Sequence, residues 1–242
     1  MEDLLFVLPK EVTSVDTDFN LDVKLSTLFS YFQEVSSLHS EILGVGKSET
    51  IDKNMNWVIA RFLVEIIKMP RYGDKLKIKT YPGSNNKLFF YRHYIITDSK
   101  DNVMVRANSV WLLVDGTTRQ LKRDPFNGMS FPIMKMDDEL ANPDKVVGEA
   151  SNYLYSRKVR YSDIDLNGHL NNIRYIELIQ DSFDLNFYKQ NKIKSFLINY
   201  NSEFRSDDEV KIYSSSTNPY IISGKKDDKE HFVAKLEFIN RK

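Results

Sequence analysis

The chain carries one polar pattern twice, and this repetition constrains its fold more than any other feature. The stretch VTSVDTDFNLDVKLSTLFSYFQE, beginning at Val12, aligns without a gap with VRYSDIDLNGHLNNIRYIELIQD, beginning at Val159. The matched positions are Asp16 with Asp163, Asp18 with Asp165, Asn20 with Asn167, and Gln33 with Gln180. Further on, YGDKLKIKT resembles SDDEVKIYS, and RANSVWLLVD resembles VAKLEFINR. Matches in the same order indicate a duplicated unit rather than a chance motif.

Within each copy, a helical pattern is followed by strand patterns. Apolar residues recur at helical spacing over 25–43 and 171–190, which predicts one helix in each region. Alternation with period two predicts strands in WVIARFLVEII, KLKIKT, RHYIITD, VMVRANSVWLLVD, FLINYNSEF, EVKIYSS and HFVAKLEFI. In the first of these strands, the predicted apolar face is Val58, Ala60, Phe62, Val64 and Ile66. Few helices among many strands predict an α+β fold, with a helix packed on an antiparallel sheet.

The segment FPIMKMDDELANPDKVVGEA separates the two copies. Its prolines and charged residues are typical of a linker. We therefore predict an N-terminal domain over 1–130, a linker over 131–151 and a C-terminal domain over 152–242.

Composition narrows the classes of partner. Lys and Arg total 34, as do Asp and Glu, so no bulk attraction to nucleic acid or an anionic membrane is expected. Without cysteine the chain has no disulfide, cysteine nucleophile or thiolate metal site. The histidines lack metal-ligand spacing, and no dinucleotide fingerprint occurs, so we predict neither a metal nor a cofactor. Because no apolar run approaches the roughly 20 residues of a membrane span, we predict a cytoplasmic protein.

The two copies differ at one informative position. His169 of the second copy aligns with Asp22 of the first. If the polar cluster only capped a helix, either residue would serve. A titratable imidazole in one copy alone indicates one working site and one copy kept as scaffold.

Four segments carry a resemblance to a known family. They are DIDLNGHLNNIRYI, NYNSEFRSDDEV, NWVIARFLVEIIKMPRYGDKLKIKTY and RANSVWLLVDGTTRQLKRDP. In them the chain resembles the acyl-acyl carrier protein (acyl-ACP) thioesterases of plants and bacteria, which consist of two hot-dog folds in tandem. The resemblance implies two antiparallel sheets, each wrapped around a long central helix. It also implies that the N-terminal domain is a scaffold that binds the acyl chain.

The resemblance also implies a set of catalytic residues. Asp165, Asn167 and His169 match the family's Asp, Asn and His, and Glu203 matches its catalytic glutamate. Plant members have a cysteine after that glutamate, whereas this chain has Phe204. A mechanism with water as nucleophile and Glu203 as general base is therefore expected. Asn167 or His169 would hold the oxyanion or the water, and Asp165 would orient them.

Other polar residues have simpler interpretations. Asp163 and Asn172 are expected to be turn and capping residues. We expect His39, His93 and His231 to be structural. Continued strand alternation would point Glu203 inward, on the same face as three other residues of its segment. These are Leu197, Asn199 and Asn201.

The expected reaction is hydrolysis of fatty acyl-ACP to free fatty acid and ACP. The partner is then an acyl carrier protein whose phosphopantetheine arm carries the acyl chain, and a homodimer remains open. The acyl chain would lie between sheet and helix near Leu28, Phe29 and Phe32, and basic residues would contact the carrier. Candidates for that contact are TRQLKR at 118–123, Lys189, Lys192 and Lys194. Two alternatives remain: a hot-dog hydratase or dehydratase of acyl thioesters, and a non-catalytic acyl-thioester-binding protein.

Overall fold

The computed structural model describes residues 4–86, 88–123, 131–137 and 139–241. The last seven residues of the predicted N-terminal domain, 124–130, and linker residue Asp138 lie outside this part. The strands are β1 Phe6–Glu11, β2 Met55–Ile66, β3 Lys75–Asn85, β4 Phe90–Thr97, β5 Val103–Asp115, β6 Asn152–Lys158, β7 Asn191–Tyr200, β8 Glu209–Ser214, β9 Tyr220–Lys226 and β10 Lys229–Asn240. The α-helices are α1 Leu25–Ile42, α2 Lys47–Asp52, α3 Asn172–Gln180 and α4 Leu185–Gln190.

The chain forms two compact units. The first unit comprises residues 1–23 and 30–143, and the second comprises 24–29 and 144–242. Within the first unit the strands follow the order β1-β3-β4-β5-β2, and within the second the order β6-β8-β9-β10-β7. These orders are the same when β1 to β5 are matched with β6 to β10, and the neighbouring strands within each unit are antiparallel. The α+β class is confirmed, and the structure repeats as the sequence does.

The core of the first unit lies between α1 and the sheet. The predicted helix over 25–43 is confirmed as α1. The ring of Phe32 packs on Phe62 and Tyr94 at centroid distances of 5.4 and 4.9 Å. The hydroxyl of Tyr94 is buried but satisfied, since it bonds Ser36 at 2.7 Å and Ser109 at 3.2 Å. The core therefore contains a hydrogen-bonded polar chain among its aromatic rings.

The phase of β2 differs from the predicted alternation. Phe62, Val64 and Ile66 are buried as predicted, but Ile59 is buried in place of Val58 and Ala60. A β-bulge explains the change, because Ile59 pairs with Trp111 while Arg61 pairs with the next residue along β5. One extra residue in a strand moves every side chain before it to the opposite face.

The predicted helix over 171–190 is divided in two. α3 ends at Gln180, and α4 starts after Asp184, whose carboxylate accepts a hydrogen bond from Phe187 N–H at 2.7 Å. Ile176 and Ile179 are fully buried, whereas no residue of α4 is buried. The prediction of one continuous helix was therefore wrong, because a capping aspartate starts a new helix inside a continuous apolar pattern.

Residues 139–142 of the predicted linker contact the sheet of the first unit. The Asn108 amide donates to the Leu140 carbonyl and to Asn142 Oδ1, at 3.3 and 3.0 Å. His93 Nε2 lies 3.9 Å from Glu139 Oε2, and the His93 ring stacks on Tyr81. Within the described ranges, no helix has the length and apolarity needed to cross a lipid bilayer.

Candidate active site

The turn that precedes α3 is shaped by one aspartate. Asp165 Oδ1 accepts hydrogen bonds from the backbone N–H groups of Asn167 at 2.8 Å and His169 at 3.3 Å. The Asp165 N–H in turn donates to the His169 carbonyl at 2.8 Å. Gly168 has a φ of 81°, which glycine adopts without strain. These bonds of Asp165 therefore hold the backbone of the turn, and none of them reaches the imidazole of His169.

The first copy contains the same turn with different side chains. Asp18 Oδ1 accepts from the N–H groups of Asn20 at 2.8 Å and Asp22 at 3.2 Å. The Asp18 N–H donates to the Asp22 carbonyl at 2.8 Å, as in the second copy. The backbone geometry thus does not depend on whether histidine or aspartate occupies the last position of the turn.

Glu203 lies beyond the end of β7, in the loop that leads to β8. Because β7 ends at Tyr200, strand alternation does not extend to Glu203, and the expected inward row was wrong. Phe196 and Ile198 are the fully buried residues of β7, while Asn201 is exposed. The Leu170 N–H donates to the Phe204 carbonyl at 2.9 Å, which joins the two loops.

This junction brings His169 and Glu203 together. His169 Nε2 lies 3.1 Å from Glu203 Oε2, with the two side chains 16% and 33% exposed. Asn167 Nδ2 lies 3.5 Å from Asp165 Oδ2, at the outer limit of a hydrogen bond. The pair can share a proton while solvent still reaches the carboxylate, which suits a general base acting on water. The catalytic roles of all four residues stay predictions.

Two further side chains touch the loop that carries Glu203. His231 Nδ1 lies 3.1 Å from the Glu203 carbonyl, and the Tyr175 hydroxyl accepts from the Phe204 N–H at 3.2 Å. Burial is the largest cause that lowers the pKa of His231. Burial likewise raises the pKa of Tyr175 above its usual range. Sequence reasoning treated His231 as structural only and did not consider Tyr175.

The matching place in the first copy has different chemistry. Asp22 pairs there with Arg71, whose Nε lies 3.3 Å from Asp22 Oδ1. The Val23 N–H donates to the Pro70 carbonyl at 2.9 Å, as Leu170 does to Phe204, so Met69 occupies the position of Glu203. The first copy thus has an ion pair where the second has an imidazole and a carboxylate.

Neighbouring polar residues support the local fold. Asp163 is buried and accepts from Arg157 Nη2 at 2.6 Å and the Arg160 N–H at 3.0 Å. The N-cap of α3 is Asn171 rather than the predicted Asn172, since its side chain accepts from Ile173 N–H at 2.9 Å. In the part of the chain that is described, no group of three or more His, Cys, Asp or Glu residues could hold a metal ion.

Solved structures share this fold. A crystal structure of an acyl-ACP thioesterase from Bacteroides thetaiotaomicron superimposes with a TM-score of 0.90 and 24% identity, covering 98% of this chain and 99% of that one. The 12:0-ACP thioesterase from Umbellularia californica gives a TM-score of 0.84 at 20% identity, with 98% of each chain covered. These similarities establish the arrangement of strands and helices.

Sequence relatives point to the same family. The chain is 24% identical over 233 residues to the chloroplastic palmitoyl-acyl carrier protein thioesterase of Arabidopsis thaliana, covering 89% of this chain and 56% of that protein. It is 26% identical over 228 residues to the chloroplastic oleoyl-acyl carrier protein thioesterase 2 of the same plant, covering 86% and 62%. The chain thus spans more than half, but less than two thirds, of the length of these relatives.

Family models match both copies of the repeat. The acyl-ACP thioesterase N-terminal domain matches residues 6–125, and the acyl-ACP thioesterase C-terminal domain matches residues 149–241. The His169 and Glu203 pair lies in the second of these matches. The two matches together cover most of the chain in the order of the family, and the chain therefore belongs to the acyl-ACP thioesterase family.

Proposed function

We propose that this protein is a thioester hydrolase that converts fatty acyl-ACP and water into free fatty acid and ACP. The observation that carries the proposal is the 3.1 Å contact between His169 and Glu203 within the match to the C-terminal family domain. Family membership supplies the substrate class, and the contact supplies a base beside a polar turn. The names of the relatives, which include palmitoyl- and oleoyl-acyl carrier protein thioesterases, agree with this substrate class.

The proposed reaction begins with proton transfer to Glu203. Its carboxylate removes a proton from a water molecule, whose oxygen adds to the thioester carbonyl carbon. The amide of Asn167 donates to the resulting oxyanion, and His169 holds the carboxylate of Glu203 toward the water. Collapse of the intermediate breaks the carbon–sulfur bond, and the departing thiolate takes up the proton. Phe204, at the position of the plant cysteine, has no nucleophilic atom, which favours direct attack by water.

The proposed division of labour follows the repeat. The N-terminal domain, 1–130, binds the acyl chain, 131–151 is the linker, and 152–242 carries the reaction. The first copy supports this division because it has Asp22 and Met69 where the second has His169 and Glu203. Leu28, Phe29 and Phe32 are buried apolar residues of α1 and remain the proposed liners for the acyl chain, although of the three only Phe32 falls in the first compact unit.

The carrier would be recognised through basic residues. Two of the predicted lysines already form ion pairs, Lys122 with Asp115 at 3.1 Å and Lys194 with Glu237 at 2.9 Å. Lys189 and Lys192 are exposed. An acidic carrier protein would compete with Asp115 and Glu237 for the two paired lysines, or it would bind the exposed lysines instead. A cytoplasmic location and a homodimer stay predictions. Light scattering on the protein as it elutes from a size-exclusion column tests the dimer.

Thiol release from acyl-ACP tests the function directly. Palmitoyl-ACP and shorter acyl-ACPs are compared with the matching CoA esters, using wild type, Glu203→Gln and His169→Ala. We expect a preference for ACP substrates and a loss of at least about 100-fold in kcat for both variants, because Glu203→Gln removes the general base and His169→Ala removes the side chain that holds it toward the water. Glu65→Gln is a matched control, since this strand carboxylate is half-exposed and makes only a long ion pair, at 3.9 Å, with Arg106.

Each other outcome assigns a different function. Unchanged turnover in Glu203→Gln would remove this residue from the role of base. Conversion of an enoyl to a hydroxyacyl thioester without thiol release would establish the hydratase. Binding of acyl-ACP with neither reaction would establish a non-catalytic acyl-thioester-binding protein.

A further inference from the structure

The peptide bond between Glu203 and Phe204 is hydrogen-bonded on both sides by buried side chains. His231 Nδ1 donates to the Glu203 carbonyl at 3.1 Å, and the Phe204 N–H donates to the Tyr175 hydroxyl at 3.2 Å. His231 is 8% exposed and Tyr175 is 2% exposed. The rings of His231 and Phe204 also stack, with centroids 4.3 Å apart. Because a peptide unit is planar and includes the Cα of Glu203, these two bonds hold in place the atom from which the Glu203 side chain leaves the backbone.

The first copy shows which part of this arrangement the fold requires. The N–H groups of Ile67 and Lys68 both donate to the Met104 carbonyl at 3.0 Å. In the second copy the N–H groups of Asn201 and Ser202 donate to the His231 carbonyl, at 2.8 and 3.0 Å. Met104 therefore matches His231 in structure. Both copies hold the loop through a backbone carbonyl, and in the second copy the His231 side chain adds a further bond.

The other partner of the peptide is also particular to the second copy. In the gapless alignment of the two turns, Leu28 matches Tyr175. Leucine has no polar group, and the thioether of Met104 has no N–H or O–H to donate. The first copy has Pro70 in place of Phe204 and so has no N–H there to be accepted, but it has the matching carbonyl of Met69, to which the Met104 side chain cannot donate. The loop therefore folds without a donor in the place of His231, and both side-chain bonds are particular to the second copy. They occur in the copy that holds Glu203 and His169.

We propose that Tyr175 and His231 are positioning residues that hold the Glu203 carboxylate against His169. This inference rests on the proposed role of Glu203 as general base. A carbonyl oxygen can only accept, so Nδ1 of His231 carries a hydrogen. Burial lowers the pKa of His231 and raises the pKa of Tyr175, which disfavours the charged form of each side chain. The bonds thus set the geometry of Glu203 without pairing its charge.

Two conservative substitutions test the inference. His231→Phe keeps a ring that can stack on Phe204 but removes the donor, and Tyr175→Phe removes only the hydroxyl. We expect each to lower kcat about tenfold with KM within about twofold, because a misplaced base affects the chemical step more than binding. His231→Asn places an amide donor near the position of Nδ1, and we expect it to stay within about threefold of wild-type kcat.

A matched control separates this effect from the loss of any tyrosine hydroxyl in the same unit. The Tyr155 hydroxyl donates to the Leu178 carbonyl at 2.5 Å and touches neither Glu203 nor Phe204. Tyr155→Phe should therefore leave kcat unchanged. All variants are assayed below the onset of their own thermal unfolding transitions, so that turnover reports on folded protein.

A double-mutant cycle identifies the residue through which the pair acts. In a Glu203→Gln background, we expect His231→Phe and Tyr175→Phe to change kcat by less than about twofold. Equal losses in both backgrounds, or wild-type kcat in both Phe variants, would overturn the positioning role. Crystal structures of the variants give a readout that is independent of activity. The distance from His169 Nε2 to Glu203 Oε2 should exceed about 3.5 Å, the limit of a hydrogen bond.

The two proposals fail in different ways. Absence of thiol release in the wild type would refute the proposed function. The distance between His169 and Glu203 in the variant structures would still decide the positioning role, since a value unchanged from 3.1 Å would refute it.

Discussion

At the scale of single residues, the backbone conformation of the turn and its chemical reactivity depend on different side chains. Asp18 and Asp165 bond the backbone of their turns in the same way, while Asp22 and His169 differ. The backbone of the turn thus accepts either an acidic or an imidazole side chain at its last position. Substitution there should change reactivity without changing the fold.

His169→Asp converts the second turn to the composition of the first. We expect kcat for acyl-ACP to fall at least about 100-fold, since the imidazole that holds Glu203 toward the water is lost. The free energy of unfolding should fall by less than about 1 kcal/mol, because Arg205, which matches Arg71, can pair with the new carboxylate and offset its repulsion from nearby Glu203. Thiol release and urea unfolding measure the two quantities.

Asp165→Ala provides the contrasting control. It removes the acceptor of two backbone N–H groups, so we expect a loss of about 1–3 kcal/mol in the free energy of unfolding. Equal losses of stability in Asp165→Ala and His169→Asp would contradict the conclusion that Asp165 determines the conformation of the turn while residue 169 determines its reactivity.

The sequence predicted part of this site. His169 and Glu203 were predicted through family motifs, and the structure brings them into contact. Tyr175 and His231 were missed because their bonds to the 203–204 peptide join residues distant in sequence. A signal for one of them was present: the alignment of RANSVWLLVD with VAKLEFINR, extended by two residues toward the N-terminus, pairs Met104 with His231.

At the scale of elements, apolar periodicity predicted the places of helices and strands better than their ends. Phe183 and Phe187 continue the apolar pattern of α3, and both pack in one aromatic cluster with Phe238. The break between α3 and α4 is set by the hydrogen bond of Asp184, which periodicity does not record. The bulge in β2 and the end of β7 at Tyr200 likewise follow from backbone pairing.

Asp184→Ala tests whether this residue starts α4. We expect the free energy of unfolding to fall by about 1 kcal/mol, the usual effect of losing an N-cap. Amide hydrogen exchange should accelerate in α4, including Phe187, and remain unchanged in α3. Ser182→Ala is the control, because its hydroxyl makes only a 3.4 Å contact with the Leu178 carbonyl. Equal acceleration in α3 and α4 would show that the two helices behave as one element.

At the scale of the whole molecule, stability depends on buried histidines. Burial is the largest cause that lowers the pKa of His93, while nearby Glu139 raises it. Burial is also the largest cause that lowers the pKa of His231. Its hydrogen bond to the Glu203 carbonyl and Asp208 oppose this shift, whereas Lys229 and Lys226 act in the same direction as burial. In the unfolded chain these imidazoles titrate near 6.5. The unfolded state therefore binds more protons than the folded state just below that pH.

The free energy of unfolding should consequently fall as pH decreases from about 7.5 to 5.5, the range around the unfolded histidine pKa. Urea unfolding at several pH values measures this dependence. His93→Phe keeps a ring that can stack on Tyr81 and removes one titrating group, so its profile should be flatter than that of wild type. Stability that rises on acidification over this range would contradict the lowered pKa values.

The recurrence of one hydrogen-bonded turn in both copies has a consequence for the history of the chain. After a gene duplicates, a copy that keeps Asp18 and its backbone bonds keeps its architecture whatever happens at its reactive positions. Loss of catalysis then carries no penalty in folding. A descendant protein can then use one copy to bind the substrate and the other to catalyse the reaction, with both copies encoded in a single open reading frame.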